Sequence, residues 1–78
     1  MLFILGKGEK KLQLILNRLE DTREKWEGKI KEVKINHSEN FTLNDLNSIV
    51  EFIARDSSIP LNIYCTKDDN VIEVVLII

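Results

Sequence analysis

Two periods organise the apolar positions of this chain. Residues 1–5, MLFIL, are apolar at every position, the pattern of a strand covered on both faces. Leu12, Ile15, Leu16 and Leu19 then recur at i, i+3, i+4 and i+7, the stripe of an amphipathic helix, and Trp26 continues it two turns later. Gly28 is a natural stop, because glycine tolerates the left-handed conformation past a helix end. Asp21 and Lys25 stand four apart in the favourable order. Such a helix would be about 30 Å long at 1.5 Å per residue, whereas a strand of five or six residues spans only ~17–20 Å. Its last turns, 21–27, are therefore expected to overhang the sheet or fray. Trp26 then either caps the edge of the core or anchors a partner.

The second half repeats the alternation. KIKEVKIN, residues 29–36, sets Val33 and Ile35 on one face and lysines on the other, a half-exposed strand. A polar loop, 36–40, leads to a helix start. Thr42 can cap it, Asp45 sits at the third position, and Phe41 can staple onto Leu46. Leu46, Ile49, Val50 and Ile53 form the buried stripe, and Pro60 discourages continuation beyond 56–58. LNIYCT, residues 61–66, reads as a strand, and 67–70, KDDN, as turn residues of a hairpin. VIEVVLII, residues 71–78, is apolar on both faces except at Glu73, which suits an inner strand.

These elements predict an α+β fold, a two-layer sandwich in the order βαβαββ, with residues 1–78 as a single domain. Right-handed crossovers with both helices on one face keep the chain moving one way across a mixed four-stranded sheet. The preferred strand order is 1-2-4-3; 2-1-4-3, with one helix on each face, is the alternative. In the preferred order strand 1 is an edge, and apolar side chains of strands 1 and 4 lie bare on the second face. A face of that kind marks an interface, so a homodimer or a partner protein is expected. Glu73 either faces that open side or pairs with a lysine of strand 2 across a dimer.

Composition narrows the function. With 44% hydrophobic and 31% charged residues, 78 residues suit one thin-cored globular domain. One cysteine, Cys65, excludes an internal disulfide and a cysteine zinc cluster. Together with an N-terminal apolar run too short for a signal peptide or a membrane span, it points to a cytoplasmic, membrane-free setting. Net charge is −2, unevenly spread: residues 1–35 carry nine Lys/Arg against six Asp/Glu, and residues 36–78 carry two against seven. A basic front half could meet a polyanion, or its charges could pair among themselves.

Candidate chemistry is sparse. Gly6-Lys7-Gly8 joins the first strand to the first helix, where backbone N–H groups and the helix dipole attract anions, and Lys10 and Lys11 would add charge. It lacks the spacing of a P-loop or a dinucleotide fingerprint, and Glu9 in the first turn could occupy the anion's position itself. A tight turn and an anion-binding loop of Gly6 and Gly8 both remain open. Cys65 reads as a buried small hydrophobe, and His37 as a surface histidine with no clustered metal ligands. No nucleophile–base pair or carboxylate dyad stands out, so no enzymatic role, metal or cofactor is expected.

A strand ending in Leu5-Gly6-Lys7 and running directly into a long helix resembles the opening of Alba-type archaeal DNA/RNA-binding proteins. The βαβαββ order and the closing strand VIEVVLII are similar too, and the same order is shared by the C-terminal domain of bacterial translation initiation factor three. The resemblance implies a homodimer that binds DNA or RNA through basic residues. Here these would be Lys7, matching the family's loop lysine, with Lys10, Lys11, Lys31 and Lys34. The alternative expectation is a homodimeric protein–protein interaction module with no nucleic-acid role.

Overall fold

Strand and helix formers fall where their periods place them. The computed structural model describes residues 1–38, 40–53, 58–65 and 70–78. Its elements are β1 (Leu2–Lys7), α1 (Lys11–Asp21), α2 (Arg23–Trp26), β2 (Glu32–His37), α3 (Leu43–Ile53), β3 (Leu61–Cys65) and β4 (Val71–Ile77). The α+β sandwich and the βαβαββ order are as expected, with the short α2 added.

The strand order is β1-β4-β2-β3, which corrects both 1-2-4-3 and 2-1-4-3. β1, β2 and β3 still follow one another across the sheet in parallel, as right-handed crossovers require, and β4 is antiparallel to its neighbours. Handedness does not decide which gap β4 enters. Pair chemistry favours the observed gap: all-apolar β1 lies along β4, with Phe3 opposite Val75, while β2 lies along β3, with Lys34 opposite Asn62. The expected hairpin is therefore absent, since β2 separates β3 from β4. Its proposed turn residues 67–69 lie outside the described residues.

One face of the sheet carries the core. Ile4, Val33, Ile35, Ile72, Val74 and Leu76 share that face by register and pack with Ile15 and Leu19 of α1 and Ile49 and Ile53 of α3. Both long helices thus lie on one side, as expected. β1 is covered on that side alone: Ile4 is buried, while Phe3 and Leu5 on the other side are exposed. The reading of β1 as doubly covered is corrected.

The first helix does not overhang. It breaks at Thr22, whose hydroxyl donates to the Arg18 carbonyl at 2.8 Å, and the one-turn α2 follows. Trp26 folds onto the core edge, buried, with its indole N–H donating to the Leu19 carbonyl at 3.0 Å. Of its two readings, the cap on the core edge is the one observed. Arg23, rather than the Asp21–Lys25 pair, carries the ion pairs here, with Glu20 at 2.8 Å and Glu27 at 3.7 Å. Gly28 adopts φ +73° just past α2, the expected left-handed stop. At α3, the Asp45 N–H donates to the Thr42 hydroxyl at 3.1 Å and the Thr42 N–H to the Asp45 carboxylate at 3.2 Å, a reciprocal cap.

Candidate interaction face and basic loop

The uncovered face divides along its middle. On the β1–β4 half stand Phe3, Leu5 and Lys7 beside Val75, Glu73 and Val71. Phe3 is 67% exposed and Leu5 48%, with Val75 buried between the rows. The β2–β3 half is polar, with Glu32, Lys34 and Asn36 beside Asn62 and Tyr64. Glu73 faces this open side, the first of its two expected positions, and accepts a hydrogen bond from the Asn36 amide at 3.0 Å. Asn62 donates to Glu32 at 3.1 Å, and Lys34 lies 3.9 Å from the same carboxylate. The polar half is knit by these bonds; among the described residues nothing covers Phe3 and Leu5 on the apolar half.

That apolar half ends at an open strand edge. The Gly8 N–H donates to the Asn70 carbonyl at 3.0 Å, in register with the β1–β4 ladder. Antiparallel bonding alternates, so Leu2, Ile4 and Gly6 bond to β4, and Phe3, Leu5 and Lys7 aim their backbone groups outward. The Ser38 N–H to Val71 carbonyl bond, 3.1 Å, agrees from the other side of β4. β1 carries no proline and, before Lys7, no charge, the devices that ordinarily protect an edge.

Gly6-Lys7-Gly8 forms a strand-to-helix turn. A Cβ on Gly6 would lie 2.5 Å from the Lys11 carbonyl oxygen, so α1 crosses β1 there at glycine distance. Gly8, at φ +88°, uses its N–H on Asn70 and its carbonyl on the Lys11 N–H at 3.2 Å. Glu9 precedes α1, which begins at Lys11 with no acidic residue in its first turn, contrary to the expected placement.

The five candidate lysines divide by position. Lys7 and Lys10 are exposed at this turn, and Lys11 beside them is largely buried. Lys31 is at the opposite end of the sheet, its N–H on the Ile77 carbonyl at 2.7 Å, whereas Lys7 is level with Val71. Six residues of strand separate those levels, about 20 Å. Lys34 lies between them, beside Glu32.

The remaining candidates sit elsewhere. Cys65 is exposed, not buried as expected, because it lies on the edge strand β3, where Leu61 and Ile63 are also exposed. His37 is half-buried, stacked on Phe41 at 4.6 Å, with Nδ1 2.8 Å from the Ser38 carbonyl. The parallel register sets it beside Cys65. A groove of about 330 Å³ runs between α2 and α3, lined in part by Arg23, Trp26, Phe52 and Ile59. Its one arginine is already engaged, with Phe52 4.8 Å beneath the guanidinium and Glu20 on its flank. Among the described residues no group of three or more metal-binding side chains converges, and no helix is long and apolar enough to cross a membrane.

Two expectations bore on Phe3 and Leu5, a strand covered on both faces and an edge strand with its second face bare, and the second is the one observed. Their signal, an unbroken apolar run, equally describes a strand buried twice and a strand with one side left bare. No family model matches this chain, and no curated protein matches it either.

Proposed function

We propose that this chain is a small non-enzymatic interaction module that self-associates through the uncovered apolar side of its sheet. One observation carries the reading: Phe3, 67% exposed, and Leu5, 48% exposed, stand together on a strand whose outer backbone is unpaired among the described residues. Apolar surface next to an open edge is a liability in an isolated molecule and an asset in an assembly. Light scattering and sedimentation from about 1 µM to 1 mM chain, the range expected of a small interface, test it. The mass should rise from 9.1 kDa toward twice that value. A constant 9.1 kDa throughout defeats the proposal.

A second reading, Alba-like binding of DNA or RNA, is favoured by Lys7 and Lys10, exposed beside a helix start with no acidic first turn. With so few lysines together, binding would be weak, with a log–log salt slope of only about −2. Duplex retention at ~50 mM salt that Lys7→Glu abolishes would support it; no retention at that salt removes it.

A further inference from the structure

The edge that supports self-association also suits a particular geometry. Phe3 and Leu5 direct their N–H and carbonyl groups outward and flank Ile4 symmetrically. An antiparallel copy of the same strand, turned about a twofold axis at Ile4, sets Phe3 opposite Leu5 of the second copy and Leu5 opposite its Phe3. Each such pair is of the hydrogen-bonded kind, and on the bare face each joins an aromatic to an aliphatic side chain. The pairing runs the length of β1 and meets no charge before Lys7 at its end. On the covered face, α1 lies over β1. Leu14, 44% exposed, lies 100° around the helix from buried Ile15, on the side away from half-buried Leu16 and the core. It therefore overhangs the same edge.

We propose that two copies of this chain join β1 to β1 in antiparallel register about Ile4, forming one continuous sheet with the two α1 helices side by side. This rests on the self-association reading and specifies its geometry. The second copy is the occupant because the outward backbone groups of β1 complement themselves and residues 2–6, which pair among themselves in this register, carry no charge. Strand pairing with Phe3, Leu5 and Leu14 covers on the order of 500 Å² per copy, less than the ~800 Å² of a standard interface. The dimer should accordingly dissociate on dilution.

The test is a cross-linking pair in a Cys65→Ser background, which removes the exposed thiol. Phe3→Cys and Leu5→Cys chains are mixed at about 1 mM, well above the expected dissociation range, and oxidised. Hydrogen-bonded antiparallel partners have Cα atoms about 5.5 Å apart, within disulfide reach. Two copies of residue 3 would be on the order of 9 Å apart, beyond the ~7 Å limit. The mixture should yield the mixed disulfide by mass, and neither chain alone should cross-link. Self-linked Phe3→Cys chains would place the axis elsewhere and overturn the register. A second variant, N-methyl-Leu5 made by chemical ligation, deletes one outward donor and leaves every bond to β4. It should keep the melting temperature of the monomer and weaken dimerisation by about 10–30-fold. A dimer that ignores N-methylation and gives no mixed disulfide uses another surface, which overturns this geometry but leaves self-association standing. A chain that stays monomeric overturns both.

Discussion

Replacing Gly6 by alanine probes the joint between β1 and α1. In an extended strand with free space, Gly→Ala stabilises by about 0.4–1 kcal/mol, because the unfolded chain loses conformational freedom. Here the new Cβ would lie 2.5 Å from the Lys11 carbonyl oxygen and 3.0 Å from Ile15 Cγ1. The nearer atom is backbone in the first turn of a helix, so no side-chain rotation relieves it. Restoring ordinary contact moves α1 off β1 by roughly 1 Å and loosens fully buried Ile15, an overpacking strain of about 1–3 kcal/mol. With backbone as the obstacle, the net loss should be about 2 kcal/mol after the entropic gain. For a domain of this size that is a fall in melting temperature of about 8–16 °C. The assay is thermal unfolding by circular dichroism, with Gly8→Ala as the comparison. Gly8 has φ +88° and open space for 4 Å around the position a Cβ would take, so its cost is conformational alone, about 1 kcal/mol. A Gly6→Ala protein melting within about 2 °C of the parent, or above Gly8→Ala, would refute the close-approach argument.

Other substitutions separate the remaining features. Trp26→Phe removes the indole bond to the Leu19 carbonyl and part of the core edge, and urea unfolding should show a loss of about 1–3 kcal/mol. Thr42→Ala leaves the Asp45 N–H without its cap and should cost about 1 kcal/mol in the same assay. Arg23→Met keeps an apolar stem beside Phe52 and loses ion pairs to carboxylates that are more than half exposed; the stability change should stay under about 1 kcal/mol. Ile35→Ala empties a fully buried position on the inner strand β2 and should cost about 2–5 kcal/mol, the largest loss of the set.

Much of the fold was legible because local periods are local physics. The stripe Leu12–Leu19, the Thr42–Asp45 cap and the alternation of Val33 and Ile35 each depend on neighbours a few residues away, and each appears where its spacing put it. That the helix outruns the sheet from residue 21 was legible from the strand length, but the break at Thr22 was not, because it answers to a place for Trp26 beside Leu19. Of the candidate site, the turn at Gly6–Gly8 could be located in sequence. Its inward use of the Gly8 backbone depends on Asn70, which is brought alongside only by β4.

What the sequence determined by itself was therefore the four strands and two long helices, their order, and the buried faces of α1, β2 and α3. Right-handed crossovers added the progression from β1 to β2 to β3. The gap that β4 enters was decided only in three dimensions, by cross-strand matching between residues some seventy positions apart, as Phe3 and Val75 are. That choice set apolar β4 beside apolar β1 and so divided the open face into an apolar and a polar half; β1 is an edge in either arrangement. Alternation tells a residue which side of its strand it occupies; only the neighbouring strands and helices tell it whether that side meets the core or water.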